Sequence, residues 1–244
     1  MKDFCIEPNW PAPPGIRAYS TLREGGVSQG GYASLNLAAH VGDNPDHVST
    51  NRHRLRKGLQ LPREPYWLSQ IHGTKAVKAN RIASSPPPEA DASYTDEPGV
   101  VCVVMTADCL PVLFCDHDGK RVAASHAGWR GLVGGVLEST VNALGSNDLM
   151  AWLGPAIGPS AFEVGAEVRL SFLEKLGDCG DAFVQIDEQH WLADLYSLAR
   201  LILAHVGVEA VYGGQECTFS NADRFFSYRR DSQTGRMATL IWRE

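Results

Sequence analysis

The chain has 244 residues, of which 44% are hydrophobic and 20% are charged, and its formal net charge is −6. This is the composition of an ordinary globular protein that can bury a large core. It has no basic block that would indicate nucleic-acid binding and no apolar run near the roughly 20 residues that span a bilayer. The first residues, MKDFCIEP, lack the apolar stretch of a secretory signal. Six cysteines without a Cys-x-x-Cys pair favour a reducing compartment, so we expect a cytoplasmic protein. From the charge and the apolar runs we expect no nucleic-acid or membrane partner.

Short apolar runs between amphipathic segments predict a mixed α/β protein. The predicted strands, in chain order, are 16–20, 66–71, 76–82, 100–105, 111–115, 121–125, 150–153, 209–213 and 237–242. Several of these runs are almost entirely apolar, which predicts burial on both faces. The strands do not alternate strictly with helices, which argues against a doubly wound parallel sheet. We therefore expect one α/β (α+β) domain, residues 1–244, of layered mixed sheets flanked by helices.

Four segments have apolar residues at helical spacing. Their stripes are Val48, Arg52, Leu55 and Leu59; Leu132, Val136, Thr140 and Leu144; Val164, Val168, Phe172 and Leu176; and Leu192, Leu195, Ala199, Ile202 and Val206. The first helix is predicted to begin at Asn44, an N-cap residue followed by proline. The other three are predicted to end at Gly145, Gly177 and Gly207.

One thiol and two imidazoles follow apolar runs at three places in the chain. Cys109 lies in TADCLP, His126 in SHAGWRG and His72 in QIHG. Side chains at strand ends are well placed to carry chemistry on a rigid sheet. Two nitrogen ligands and one sulfur ligand suit zinc, or copper less specifically, and three protein ligands leave a fourth position open. The spacings are too long for a zinc finger, so the fold itself must assemble such a site.

The residues alone leave two other interpretations open. Cys109 could be a nucleophile with His126 as its base, and the amides of 128–131 would then form an oxyanion or anion site. Alternatively, the thiol is buried and the two histidines are unrelated hydrogen-bonded residues. Two further cysteines, Cys102 and Cys115, lie inside apolar runs and are expected to be buried core thiols.

Six polar residues near these motifs are candidates for substrate binding. They are Arg23, Asn36, Gln70, Asp108, Arg130 and Arg229. Arg23 lies in the glycine-rich turn TLREGGVS, where a guanidinium and amides can meet an anion, although a solvated loop arginine is the alternative. Asp108 either orients a ligand histidine or caps its own turn. Arg229 either binds substrate or joins a surface ion pair. The segment 34–43 is too apolar for an exposed loop, so its His40 is expected to line the pocket.

The motifs TADCLP and HAGWRG, with QIHG, REGGVS and SYRRD, resemble those of the YfiH family. That family has been called laccase-domain or polyphenol oxidase, purine nucleoside phosphorylase, and peptidoglycan editing factor. The resemblance runs from about Pro11 to the C-terminus. It implies a YfiH-like, cysteine-hydrolase-like fold and zinc bound by His72, Cys109 and His126. The chain departs from many relatives after the sequence IGP, where 160–161 is Ser-Ala instead of two cysteines.

The resemblance also implies an activity on small-molecule substrates, a purine nucleoside and phosphate. The first hypothesis is phosphorolysis of adenosine, inosine and methylthioadenosine to base and sugar 1-phosphate, with deamination of adenosine, in one multifunctional enzyme. Deamination needs an activated water, which a zinc site supplies, and phosphorolysis needs an anion site, for which Arg23 and the amides after His126 are candidates. The second hypothesis is removal of L-serine from UDP-N-acetylmuramyl-L-serine by Cys109 and His126. The third, copper-dependent oxidation of phenols, is disfavoured because the chain has no His-x-His pairs.

Overall fold

The computed structural model describes residues 4–82, 85–146 and 148–244, and within them the chain forms thirteen strands and six α-helices. The strands are β1 (Cys5–Ile6), β2 (Ile16–Thr21), β3 (Ala76–Lys78), β4 (Ala92–Thr95), β5 (Cys102–Thr106), β6 (Leu110–Asp116), β7 (Val122–Ala127), β8 (Leu149–Leu153), β9 (Glu163–Gly165), β10 (Phe183–Gln185), β11 (His190–Ala193), β12 (Ala210–Gly213) and β13 (Met237–Arg243). The α-helices are α1 (Pro45–Leu59), α2 (Trp129–Gly134), α3 (Val136–Leu144), α4 (Ala166–Leu176), α5 (Leu195–His205) and α6 (Tyr228–Asp231). Two 3-10 turns lie at Gly30–Tyr32 and Gly180–Ala182.

The described strands form three sheets. A six-stranded mixed sheet has the order β12-β8-β6-β7-β4-β3, a four-stranded antiparallel sheet has the order β1-β2-β13-β5, and a small sheet has the order β10-β11-β9. In the six-stranded sheet, β12 pairs with β8 and β3 pairs with β4 in parallel, and the central pairs are antiparallel. Within the described residues, no helix has the length and apolarity needed to cross a membrane.

Alternating side chains of the central strands separate the core into layers. On β6, Leu113 faces the four-stranded sheet, whereas Phe114 packs under helices α2 to α5. On β13, Ile241 faces the six-stranded sheet, whereas Leu240 packs against Leu55 of α1. The order of layers is therefore α1, four-stranded sheet, six-stranded sheet, and the remaining long helices. This arrangement confirms the predicted mixed α/β fold of layered sheets flanked by helices.

The predicted strand at 66–71 is wrong. Only Tyr66 and Ser69 form isolated bridges there, and Ile71 is 55% exposed. The side chain of Gln70 replaces a strand neighbour, because its amide accepts from Met105 N and donates to Met105 O, both at 2.8 Å. A side chain has thus taken the backbone hydrogen bonds that a regular strand would make.

Two predicted helices begin later than their apolar stripes suggest. Val164 lies in β9 and Leu192 lies in β11, each shortly before the helix that was predicted to include it. At α5 the reason is a capping residue, since Asp194 accepts a hydrogen bond from Tyr196 N at 2.9 Å. The predicted helix over 132–144 is two helices, because Gly135 between α2 and α3 has a φ of +102°.

Candidate functional site

The topology of the six-stranded sheet brings three functional residues to one edge. β7 is antiparallel to both β6 and β4, so the end of β7 lies beside the starts of the other two strands. His126 is near the end of β7, Cys109 directly precedes β6, and Asp91 directly precedes β4. His72 lies in the turn 71–73, whose backbone amides bond to Asp91. We refer to His72, Cys109 and His126 as the triad.

The side chains of the triad lie close enough to share a metal ion. Cys109 Sγ is 3.9 Å from His72 Nε2, and the two imidazole rings meet edge to face with centroids 4.8 Å apart. Across 4–82, 85–146 and 148–244, this is the one group of three such ligands found, with all ligand atoms within 4.8 Å of one another. Ligands of tetrahedral zinc are separated by about 3.3–3.8 Å, because each lies about 2.0–2.3 Å from the ion. The triad therefore fits a metal ion.

Asp91 organises both histidines of the triad, and it is fully buried. Its Oδ1 lies 2.8 Å from His126 Nδ1 and accepts from His72 N at 2.9 Å. Its Oδ2 accepts from Gly73 N at 2.7 Å and from Ile71 N at 3.2 Å. Because the carboxylate engages Nδ1 of His126, the other ring nitrogen, Nε2, is left for a metal ion.

Two residues of the site adopt left-handed backbone conformations that side chains disfavour. His72 has a φ of +59° and Asp108 has a φ of +86°, each at a cost of about 1 kcal/mol or more. The Asp91 carboxylate holds the first turn. The second is held by the carboxylate of Asp108 itself, which accepts from Thr218 Oγ1 at 2.6 Å, Ser227 Oγ at 3.0 Å and Arg229 N at 2.7 Å.

The absence of a side chain at Gly128 makes room for the thiol. A Cβ at Gly128 would lie 2.8 Å from Cys109 Sγ and 3.4 Å from His72 Cδ2. Real Cβ atoms do not approach a sulfur atom this closely without displacing it. Glycine therefore lets the turn between β7 and α2 close over the triad.

The electrostatics of the triad favour an ionised thiol in the metal-free protein. Burial would raise the pKa of Cys109, but the charges and hydrogen bonds of His126 and His72 outweigh it and lower the pKa to about 6. Burial would lower the pKa of His126, but Cys109 and Asp91 raise it to about 9. The buried carboxylate of Asp91 keeps a lowered pKa despite its burial, because His126 and the amides of 71–73 bond to it.

The triad lines a pocket of about 380 Å³, a volume typical of small-molecule sites. Its walls also include His40, Gln70, Tyr228 and Arg236. The expectation that His40 lines the pocket is confirmed. A groove of about 530 Å³ elsewhere, between α1 and the end of β13, contains none of the triad.

Three of the predicted substrate-binding residues hydrogen-bond to residues or turns that form this pocket. Gln70 is in its wall, with its amide bonded to Met105. Asn36 is fully buried and accepts from Ala38 N and Arg236 N, both at 3.0 Å. Asp108 fixes the turn before Cys109. Of its two predicted roles, the observed contacts match the turn-holding one, and Asp91 is the residue that orients a histidine.

The three predicted arginines have other partners and are not part of the pocket wall. Arg23 donates to Ala33 O and Ala222 O and lies over the Phe226 ring. Arg130 is exposed and stacks on Trp129 with 4.3 Å from Cζ to the ring centroid. Arg229 donates from its side chain to Glu163 O at 2.9 Å. Contact of these arginines with substrate stays a prediction.

Three residues of the site, Asp91, Tyr228 and Arg236, are not predicted from the sequence. Asp91 precedes β4, a short strand with the sequence ASYT that has too little apolar character to be predicted. Its position directly before a strand resembles that of Cys109 and was the available signal. Arg236 directly precedes β13, which was predicted, but a loop arginine there has no distinguishing pattern. Cys102 and Cys115 are fully buried, as expected.

Comparison with known proteins places this site in a family context. Residues 17–244 match the family described as "Multi-copper polyphenol oxidoreductase laccase". The chain is 55% identical to "Purine nucleoside phosphorylase YfiH" of Escherichia coli (strain K12), over 97% of this chain and 98% of that protein. The crystal structure of Neisseria meningitidis protein NMB0706 is similar with a TM-score of 0.94 and 52% identity, covering 99% of both chains. That of YlmD from Geobacillus stearothermophilus has a TM-score of 0.89 and 33% identity, covering 95% of this chain and 93% of the other.

Proposed function

The chain belongs to the laccase-domain family that includes the YfiH proteins, and from this membership we propose that it is a zinc-dependent purine nucleoside phosphorylase. Its substrates would be adenosine, inosine and methylthioadenosine, and it would also deaminate adenosine. The observation that carries the proposal is the triad within a pocket of about 380 Å³ in a chain whose relatives bear the name purine nucleoside phosphorylase.

The reaction transfers a glycosyl group to phosphate. An oxygen of inorganic phosphate forms a bond to C1′ of the sugar while the bond between C1′ and the purine nitrogen breaks. The electron pair leaves with the base, which takes up a proton, and the products are the free base and the sugar 1-phosphate. A pocket for this reaction must hold a nucleoside and an anion side by side.

His72, Cys109 and His126 are the residues that would hold zinc. A bound zinc ion would act as a Lewis acid and lower the pKa of water, which is the chemistry that deamination needs. The donor set of two imidazoles and one thiolate is more typical of zinc than of Mg²⁺ or Ca²⁺. Asp91 would orient His126 and keep the turn of His72 in register with Cys109.

A second function is favoured by one specific observation, the ligand atoms of Cys109 and His126 lying within 4.8 Å of each other, where each side chain shifts the pKa of the other toward thiolate and imidazolium. Such a pair is the nucleophile of cysteine hydrolases. It would support an amidohydrolase that removes L-serine from UDP-N-acetylmuramyl-L-serine. Attack of the Cys109 sulfur on the amide carbonyl would give an acyl-enzyme and free serine, and water would then release the acid.

Copper-dependent oxidation of phenols is the weakest alternative, although the family is described as multi-copper polyphenol oxidoreductases. Over the described parts of the chain, one cluster of three histidine and cysteine ligands is found. Multicopper oxidases need several histidine-rich copper sites.

The decisive experiment compares the metal-loaded protein with Cys109→Ala on three substrates. We expect adenosine and phosphate to yield adenine and ribose 1-phosphate, together with inosine, and the variant to lose at least about 10³-fold in rate. Cys217→Ala is the matched control, since Cys217 is a partly exposed thiol outside the pocket wall. Serine release from the muramyl substrate, without turnover of nucleosides, would instead establish the amidohydrolase. Oxygen consumption with a phenol and copper would support the oxidase.

A further inference from the structure

The pocket contains a positively charged side chain to which no function is yet assigned. Arg236 lies directly before β13, and the next residue, Met237, pairs with Thr106 at the end of β5. Arg236 is in the pocket wall with His40 and Tyr228, and its Cζ lies 5.7 Å from the centroid of the Tyr228 ring. The guanidinium therefore faces the same space as the triad.

Most of the hydrogen-bonding capacity of Arg236 is unused by the protein. Nη1 donates to Thr234 O at 2.8 Å and to Gly235 O at 3.0 Å. Nε and Nη2 donate to no atom of residues 4–82, 85–146 or 148–244. A guanidinium has five N–H donors in a planar fork that matches the oxygens of phosphate or carboxylate. The edge formed by Nε and Nη2 thus has no partner among the described residues, in a side chain that lines the pocket.

The charge of Arg236 is only partly offset by protein groups. Within the described residues it forms no ion pair, and burial lowers its pKa against the opposing influence of Cys109 and Asp108. The carboxylate of Asp108 is occupied by Thr218, Ser227 and Arg229. A partly buried cation without a paired anion is costly unless a ligand supplies the charge.

Two other polar groups of the pocket wall lack protein partners. Thr106 is 2% exposed, and its Oγ1 is buried without a hydrogen bond to any described residue. A buried hydroxyl without a partner needs an explanation, and a ligand oxygen that it meets after rotation about χ1 toward the pocket is one. His40 lies near Arg236, and burial together with Arg236 lowers its pKa, so that its imidazole is neutral at pH 7 and can donate one hydrogen bond.

We propose that Arg236, with Thr106 and His40, binds the tetrahedral oxyanion that reacts in this pocket, inorganic phosphate. The proposal rests on the proposed phosphorylase function and replaces Arg23 and the amides after His126 as the phosphate site. Arg236 binds two phosphate oxygens through Nε and Nη2, beside the triad that faces the nucleoside. A phosphate bound there is within the same pocket as the sugar carbon that it attacks.

Asn36 is a positioning residue for this site. Its Oδ1 accepts from Arg236 N at 3.0 Å and from Ala38 N at 3.0 Å, and its Nδ2 donates to Ala38 O at 3.1 Å. These bonds join the backbone of Arg236 to the segment that leads to His40. The predicted substrate-binding role of Asn36 thus becomes an indirect one, in which it fixes two groups that contact the anion.

The test measures initial rates of inosine phosphorolysis as a function of the concentrations of phosphate and of inosine. We expect Arg236→Gln to raise the KM for phosphate about tenfold or more, as loss of a charge-assisted pair of hydrogen bonds implies, with the KM for inosine within about twofold. Arg236→Lys keeps the positive charge but lacks the paired N–H donors of a guanidinium, so its KM for phosphate should lie between those of Arg236→Gln and the unmodified protein. Thr106→Val should raise the KM for phosphate by a smaller factor, and Thr106→Ser should restore it.

Arg169→Gln is the matched control, because Arg169 also lies over an aromatic ring, that of Trp191, but outside this pocket. Circular dichroism and melting temperature verify that each variant folds. An unchanged KM for phosphate in folded Arg236→Gln and Arg236→Lys would overturn the proposal, as would a rise in that KM in Arg23→Ala or Arg130→Gln alone.

Calorimetric titration with inorganic phosphate separates this proposal from the proposed function. If the protein turns over no nucleoside, weaker phosphate binding in Arg236→Gln than in the unmodified protein still supports the anion site. Equal phosphate binding by the two proteins, or no binding by either, would refute the anion site at Arg236. If Arg236→Gln changes binding of acetate and not of phosphate, the anion is a carboxylate of the substrate and the phosphate site is refuted.

Discussion

Cys102 begins β5 and Cys109 lies in the turn that follows it, and the two thiols differ in chemistry because of their neighbours. Cys102 is the first residue of β5, between two sheets, where burial raises its pKa to about 12. Cys109 lies between β5 and β6 at the rim of the sheet, where two histidines lower its pKa to about 6 against the opposing effect of its partial burial. The comparison teaches that enclosure alone leaves a thiol inert and that adjacent imidazoles make it a ligand or nucleophile.

The backbone differs between these two regions as well. The strands of the interior have ordinary extended conformations, whereas the rim has His72 and Asp108 in left-handed conformations. Each of these turns is held by a buried carboxylate that accepts several donors. The backbone of the rim is therefore conformationally unfavourable, and hydrogen bonds to buried carboxylates maintain it at the edge of an apolar core.

The largest expected difference is in the reactivity of the two thiols. In metal-free protein, Cys109 should react with iodoacetamide at pH 7, and its rate should fall as pH falls through about 6, because a lowered pKa keeps the thiolate down to that pH. Cys102 should remain unmodified, because its raised pKa and burial leave almost no accessible thiolate. Peptide mass spectrometry after timed alkylation between pH 5 and pH 9 measures both rates.

Zinc provides the control for this measurement. Loading the protein with zinc should protect Cys109 and leave the modification of the partly exposed Cys217 unchanged. A rate at Cys109 that rises only near the ordinary thiol pKa would show that His126 and His72 do not stabilise the thiolate.

The next effect concerns Asp91, whose carboxylate faces four donors. Asp91→Asn replaces one acceptor oxygen by an NH₂ group, so at least one of those donors loses its partner. We expect zinc affinity to fall about 10- to 100-fold, as for other carboxylates that bond to ligand histidines. Competition with a chelator of known affinity measures the change. Since the lowered pKa of Asp91 keeps its carboxylate ionised at neutral pH, the difference in zinc affinity between the variant and the parent should be present throughout the neutral range.

Asp116→Asn is the matched control for that experiment. Asp116 is also a buried carboxylate that holds a turn, accepting from Lys120 N at 2.7 Å and Arg121 N at 3.1 Å, but it lies at the opposite end of β6. The Asp116→Asn substitution should lower the melting temperature of the protein without changing its affinity for zinc. Equal loss of zinc affinity in both variants would mean that Asp91 acts only through general stability.

Strong local signals made the triad and most of the sheet accessible to sequence analysis. Apolar runs such as β6 predict buried strands, and a thiol or imidazole directly after such a run stands out. The supporting residues are different, because Asp91, Asn36 and Arg236 act through contacts between distant segments. Gln70 shows the reason most clearly, since its amide imitates a strand and no local pattern distinguishes this from a real one.

The smallest expected effect tests whether the rim depends on close packing as well as on charge. Gly128→Ala keeps an allowed backbone, with a φ of −63°, but its new Cβ would lie 2.8 Å from Cys109 Sγ. Displacement of the thiol should weaken zinc binding about tenfold or less, which corresponds to about 1.4 kcal/mol or less. Gly134→Ala, at the other end of α2, is equally crowded, with 2.8 Å from the new Cβ to Thr74 Cγ2, but it does not touch the triad. Chelator competition should therefore separate the two variants while their melting temperatures change alike. If the two variants lose zinc affinity equally, crowding acts through α2 as a whole and not on the thiol.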